Sequence, residues 1–334
     1  MPIPTPDEAA PMDPNQPENN VAEAIPEQTS AAAQAALLAG LAEIEADRAR
    51  SAPTRRPVSP GLEAALYTRF PVLDHGFVRV VDYMGDDAAV VQAARVSYGR
   101  GTKPLREDRG LIRYLMRHRH TTPFEMCELK LHVKLPIFVA RQWIRHRMAS
   151  VNEASARYSV LDREFYQPRA EDLAVQSKDN KQGRGEGLSA EAAARVLGLL
   201  RRDAMQVYDS YEQLIEGEGL ARELARMDLS LNYYTQWYWK IDLHNLLHFL
   251  SLRMDSHAQL EIRVYADQIA ALVEQWVPMC YEAFRDYRLG SVQLSAGALE
   301  AVRRMLRGEP TTAAEVGLSA REWRELMDVL QRPG

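Results

Sequence analysis

Glu125-Met126-Cys127-Glu128-Leu129-Lys130-Leu131-His132-Val133-Lys134-Leu135 is the clearest strand pattern in the chain. Cys127, Leu129, Leu131, Val133 and Leu135 alternate with Glu128, Lys130, His132 and Lys134. That period of two sends one set into a core and the other to the opposite face of a sheet. Cys127 falls in the apolar set, so its thiol reads as buried structure and not as a nucleophile. Pro136 suits the first position of a helix through Phe138, Val139 and Trp143. The helix delivers Gln142 and Arg145 into Arg145-His146-Arg147-Met148-Ala149-Ser150-Val151-Asn152-Glu153-Ala154-Ser155-Ala156-Arg157-Tyr158-Ser159. This run has neither helical nor strand period, so it reads as a loop not built to fill a core. Its three arginines beside short hydroxyls suit a polyanion, most plausibly a nucleotide. Glu153 cannot serve that grip and reads as an acceptor for N–H or O–H groups of a base or sugar.

The 334 residues carry a net charge of −5, which argues against a general nucleic-acid binder and makes the arginines a local device. Only Cys127 and Cys280 occur, without paired spacing, which fits a reducing cytoplasm and excludes a disulfide scaffold or cysteine-rich zinc site. No apolar stretch reaches membrane-spanning length, and the N-terminus lacks signal-peptide order, so a cytoplasmic protein is expected.

Outward from the strand, residues 1–60 are rich in Pro, Ala, Glu, Asn and Gln and read as a disordered tail, with a possible helix around Ser30–Ala49. Residues 61–289 read as one catalytic domain and 290–334 as a short helical extension, whose last helix opens on a Ser319–Glu322 capping box. Upstream lie a strand at Gly76–Tyr83, a helix capped by Asp86 or Asp87 ending near Ser97, and a helix over Arg106–Arg119 with Leu111, Tyr114 and Leu115 on its apolar face. Downstream, Asp162–Pro168 is irregular and Gln176–Gly187 reads as a mobile glycine-rich loop. Ser189 caps a helix through Leu214 with Val196, Leu199, Leu200, Tyr208 and Tyr211 as core candidates. Leu220–Arg226 reads as a short helix and Leu229–Trp239 as a strand. Asp242–Arg253 reads as a helix that continues through His257 and Glu261 to near Arg285.

His244 and His248 lie four apart on one helical face, as metal ligands would, but Asn245 stands where a metallopeptidase helix has glutamate. Polar contacts to a ligand or subunit are therefore preferred, and no metal is expected. Two rivals are a metal-dependent nucleotide phosphohydrolase using His244, His248, His257 and Asp255, and a non-catalytic nucleotide-binding module. There is no Gly-x-Gly-x-x-Gly or Walker loop, so any dinucleotide is held in another way.

Arg145-His146-Arg147-x-x-Ser150-x-Asn152-Glu153-x-Ser155-x-Arg157-Tyr158 resembles the signature of the flavin-dependent thymidylate synthases. The resemblance covers about residues 70–285, including Ala94-Arg95-Val96-Ser97, His120-Thr121-Thr122-Pro123-Phe124-Glu125 and Leu252-Arg253-Met254-Asp255-Ser256-His257-Ala258-Gln259. It implies an α/β (α+β) fold, a mostly antiparallel central sheet flanked by helices and unrelated to the Rossmann fold. It further implies a homotetramer with shared active sites. The implied activity is a methyltransferase reaction making dTMP from dUMP. Carbon comes from 5,10-methylenetetrahydrofolate and hydride from reduced FAD, which NADPH regenerates.

Position by position, the resemblance places Ser97, His120, Thr122, Glu125, Arg145, His146, Arg147, His248 and Leu252 against FAD, with His120 near the flavin ring. Gln142, Glu153, Ser155, Arg157, Arg226 and Arg253 match dUMP contacts. Arg157 and Arg226 suit the phosphate, and Arg253 is the catalytic group that polarises the uracil ring. Asp242 and His244 depart from the common Asn and Arg, so His244 is a weaker flavin contact and Asp242 is expected to face away or cap its helix. Classical synthases attack uracil with a cysteine, which this chain does not place for that role; a reduced flavin supplies the hydride instead. Ser155 has no evident base to make it a nucleophile.

Overall fold

The computed structural model describes residues 39–40, 42–46, 48–96, 105–158, 160–177 and 183–331. Two compact units separate, one comprising Met1–Ala52 with Leu161–Arg163 and the other Pro53–Val160 with Glu164–Gly334. In the first, residues 42–46 and 48–49 are helical; the rest of the expected tail up to residue 38 lies outside the described residues. In the second, the chain runs α1 (Pro60–Ala65), β1 (Arg69–Val72), β2 (Gly76–Met84), α2 (Asp87–Val96), α3 (Leu105–Arg117), α4 (Thr122–Glu125), β3 (Glu128–Pro136) and α5 (Ile137–Trp143). It continues through β4 (Ser150–Glu153), β5 (Ala174–Gln176), β6 (Arg184–Gly187), α6 (Ala190–Glu212), α7 (Arg222–Ala225), β7 (Tyr234–Asp242), α8 (Leu243–Arg253), α9 (Leu260–Trp276), α10 (Pro278–Phe284), α11 (Ala296–Leu306) and α12 (Ala320–Gln331).

The main sheet is antiparallel throughout, in the order β1-β2-β3-β7-β4. Its centre is β3, and Leu129, Leu131, Val133 and Leu135 are all fully buried, as the alternation requires. They join Val78, Val80, Trp237, Trp239 and Ile241 from the flanking strands in one core with α5, α8 and α9. Cys127 lies in that core, and burial pushes its thiol up to about 12.

Several boundaries differ from the sequence reading, each for a local reason. The strand begins at Glu128 and not Glu125, because Pro123 sits in a helical turn, α4, that occupies those residues. It then runs one residue further, so Pro136 is the last strand residue and the N-cap of α5 instead of its first helical residue. The arginine-rich run contains a strand after all: β4 pairs with β7, its backbone bonded at the sheet edge while its side chains stay mostly exposed, which erases the apolar period. The second strand of that pair starts at Tyr234, five residues later than expected, after a turn in which Tyr233 N–H donates to the Ser230 carbonyl.

The expected helix from Asp242 to Arg285 is three helices. Asp255 Oδ1 accepts from the His257 N–H at 2.8 Å, folding the chain at 254–259, and Val277 leaves the helical region (φ −135°, ψ 67°) before Pro278, a position where proline disfavours helical backbone. Gln176–Gly187 is the end of a β5–β6 hairpin, with 178–182 outside the described residues. Leu199 and Leu200 are exposed, since α6 buries Ala193, Ala204, Tyr208 and Tyr211 instead. Tyr114 is likewise exposed, leaving Ile112, Leu115 and Met116 as the buried face of α3.

Candidate active site

The loop after α5 is held in place from behind by Trp143. Its fully buried indole is boxed by Trp237, Trp239, Phe249 and Tyr265, at ring-centroid distances of 5.7, 5.2, 4.8 and 5.9 Å. Such a box fixes where α5 ends, and hence where Gln142 and His146 emerge on either side of it. From the other direction, Asp242 accepts from the Asn245 N–H at 2.9 Å and from Asn245 Nδ2 at 2.8 Å, capping α8 as one of its two expected roles. Arg253 is the last residue of α8, one end of a helix whose start is set by that cap.

Arg253 Nε donates to His146 Nε2 at 3.0 Å, and its NH2 to the Gln142 carbonyl at 3.4 Å. Burial lowers the Arg253 pKa, yet a guanidinium this basic stays charged. Burial first, then the charge of Arg253 and the neighbourhood of His248, hold His146 down at about 4. The imidazole is therefore neutral at pH 7, with Nε2 free to accept, so it is a partner of Arg253 and not a third cation. Its ring meets Phe249 edge-on at 4.9 Å and lies 6.1 Å from the His248 ring.

Gln142 Nε2 donates to Gln259 Oε1, and Gln259 Nε2 donates to Glu261 Oε2 at 2.9 Å. Glu261 is only 2% exposed; its other oxygen accepts from the Tyr166 hydroxyl at 3.0 Å and pairs with Arg184 of β6. Gln259 was legible only as part of the quoted resemblance, and Glu261 only as part of a helix. The signal that could have singled out Glu261 is a carboxylate on the apolar face of α9, beside Ile262, Tyr265 and Ala266, where burial demands partners.

Glu153 accepts from the buried Thr235 hydroxyl at 2.7 Å. Ser155 Oγ accepts from the Arg157 N–H at 3.3 Å, and the Arg157 guanidinium lies 3.4 Å from Glu223, both more than half exposed. Arg226 is exposed in a short turn after α7. Arg145 and Arg147 are exposed too, and among the described residues none of these three arginines has an ion-pair partner. His120 follows Arg119, which adopts a left-handed φ of 59°, and its ring stacks 5.9 Å from Tyr114. Thr122 and Glu125 belong to α4. His244, His248 and Leu252 recur at spacing four along α8, the first half-buried and the others exposed. Ser97 lies outside the described residues. The structure thus brings Gln142, His146 and Arg253 into direct contact, while among the described residues no hydrogen bond joins Glu153, Arg157 or Arg226 to Arg253. Among the described residues no three His, Cys, Asp or Glu side chains are grouped to hold a metal ion.

The family model described as Thymidylate synthase complementing protein (Thy1) matches residues 79–279, a span holding every one of these side chains. A flavin-dependent thymidylate synthase from Ruegeria pomeroyi is 68% identical over 295 residues, 87% of this chain and 98% of that protein. The chain belongs to the flavin-dependent thymidylate synthase family. Another relative of that name, from Gluconobacter oxydans, is 65% identical over 86% of this chain and 96% of its own length. Among solved structures, a UMP/dUMP methylase from Streptomyces cacaoi bound with 5-Br dUMP superposes with a TM-score of 0.60 at 34% identity, covering 66% of this chain and 98% of that one. The antiparallel sheet with its flanking helices is thus the flavin-dependent thymidylate synthase architecture, as the resemblance implied.

Proposed function

We propose that the chain converts dUMP to dTMP, taking its carbon from 5,10-methylenetetrahydrofolate and its reducing power from FAD that NADPH re-reduces. The observation that carries this reading is the Arg253–His146–Gln142 cluster: one charged guanidinium, held at Nε by a neutral imidazole, with donors left over for a ligand. Gln142, Glu153, Ser155, Arg157, Arg226 and Arg253 bind dUMP, with Arg157 and Arg226 on the phosphate. Arg253 draws electron density from the uracil ring as negative charge develops there, the electrostatic assistance that a preorganised donor provides.

The donor set also fits a flavin dinucleotide. Arg145 and Arg147 are exposed cations without an ion-pair partner among the described residues, suited to a pyrophosphate, and the His248–Leu252 face of α8 offers a ring and an apolar chain to a flat heterocycle. Ser97, His120, Thr122, Glu125, His146 and His244 complete the proposed FAD contacts. When bound, the flavin supplies the hydride. Neither thiol is placed to attack the uracil ring: Cys127 and Cys280 are both fully buried, and burial raises both pKa values far from the thiolate range. A homotetramer with shared sites and a cytoplasmic location complete the proposal. Its support is family membership, the two unpaired cysteines and the lack, among the described residues, of any helix long and apolar enough to cross a membrane.

The visible spectrum of the purified protein tests this. Flavin absorbance that NADPH bleaches in the presence of dUMP, with dTMP formed on adding the folate, is expected. Colourless protein that neither takes up FAD nor makes dTMP would refute the proposal.

A further inference from the structure

The polar chain behind Gln142 has a direction, and one residue sets it. A carboxylate only accepts hydrogen bonds, whereas a glutamine amide can present either its NH2 or its oxygen. Glu261 is buried with one oxygen taken by Tyr166 and Arg184, so the group facing its other oxygen must be a donor. Gln259 therefore turns its NH2 toward Glu261, which leaves its Oε1 facing Gln142. Gln142 must in turn direct its own NH2 to Gln259, and its Oε1 is what remains for a ligand.

We infer that Glu261 is a positioning residue that, through Gln259, fixes the Gln142 amide so that it offers an acceptor to the nucleotide substrate. The ligand group it selects is a donor, an imide N–H or a sugar hydroxyl. The inference rests on the reading of Gln142 as a dUMP contact. Arg184 gives the arrangement a second anchor: it bonds Glu261 and also the Asp172 carbonyl, at 3.1 Å, tying the β5–β6 hairpin to the start of α9. Buried polar groups left without correct partners are costly, so the direction of the chain is enforced and not merely preferred.

The test is a polarity reversal read by steady-state kinetics of the flavin-loaded enzyme. In Glu261→Gln the amide oxygen stays with Tyr166 and Arg184, and the new NH2 faces Gln259. Gln259 must then flip, and Gln142 follows, presenting NH2 where it had presented oxygen. The KM for dUMP should rise about three- to tenfold, the worth of one hydrogen bond, with kcat and flavin content held. Gln142→Glu sets two acceptors against each other in the native background and should also raise KM, but in the Glu261→Gln background its partner is a donor, so the second substitution should restore part of what the first removed. A merely structural Glu261 would give additive losses and no such rescue. Additive losses, or an unchanged KM in Glu261→Gln, overturn the inference. Should Glu261→Gln not fold, Gln259→Leu breaks the chain at a half-buried residue, and an unchanged KM there overturns it equally. Gln142→Ala separates the two claims: if it leaves the KM for dUMP unchanged, the reading of Gln142 as a substrate contact is wrong, whatever orients its amide.

Discussion

On one side of the candidate site Gln142, Gln259, Glu261, His146 and Arg253 satisfy one another through hydrogen bonds that reach into the core. Arg145, Arg147 and Arg226, by contrast, are exposed and, among the described residues, carry no compensating acid. The first arrangement keeps its shape without a ligand, because each group already has a partner of the right polarity. The second holds net positive charge, which an incoming anion would offset. The difference points to a division of labour: the bonded groups would fix the direction and polarity of the contacts offered to the nucleotide, while the open arginines would supply attraction for anions.

Substitutions should separate these two roles. Arg253→Ala strikes the bonded side at its charged end and should lower kcat by about 10²–10³-fold while flavin absorbance persists; normal dTMP synthesis by that variant would remove Arg253 from its role. Glu261→Ala leaves Tyr166, Arg184 and Gln259 donors around a buried gap. It should cost about 3 kcal/mol of folding stability in urea denaturation, and a loss no larger than that of a surface substitution would contradict the enclosed network.

On the open side, Arg147→Ala should weaken flavin retention about tenfold, as titrated by absorbance, with the thermal midpoint of the apoprotein unmoved and the effect shrinking as salt rises. A salt-independent loss would make Arg147 structural.

Acid should blur the contrast. The His146 pKa is depressed in the fold, so its contribution to stability is complete above about 6.5 and is lost as pH falls from 6.5 toward about 4, where the ring gains a proton beside Arg253. His132, also held at about 4 by burial and Arg79, adds a loss in the same window. His146→Gln should flatten part of the urea midpoint's decline across that range; a decline of native steepness would show that His146 carries none of it. The smallest effect belongs to the exposed Arg157–Glu223 pair, where Glu223→Gln should change stability by less than about 0.5 kcal/mol. A larger change would show that this pair holds the fold and is not a screened surface contact.

Much of the sheet was legible because β3 obeys a strict period of two, and a buried face leaves that period no freedom. The break between α8 and α9 was not, since His257 and Glu261 continue the helical spacing and the interruption comes from the Asp255 carboxylate accepting from the His257 N–H. Leu199 and Leu200 misled for a related reason: apolar type shows that burial is favourable, not that anything is there to cover it. At the site, the arginine-rich run announced a ligand by residue type alone. The neutrality of His146 could not be read from that run, because it arises from burial and from a guanidinium on a helix far along the chain. Glu261 was hidden in plain periodicity, a charge at a core position whose partners come from a hairpin and a loop.

The aromatic box around Trp143 has an optical consequence. Three indoles, Trp143, Trp237 and Trp239, are packed within a few ångströms of one another and out of solvent, one residue along the chain from Gln142. Buried indoles emit in the near ultraviolet, overlapping the near-ultraviolet absorption band of oxidised flavin, so cofactor seated on the neighbouring loop would drain their fluorescence by energy transfer. The fold thus carries its own lamp beside the pocket, and occupancy can be followed by its dimming in protein that never turns over.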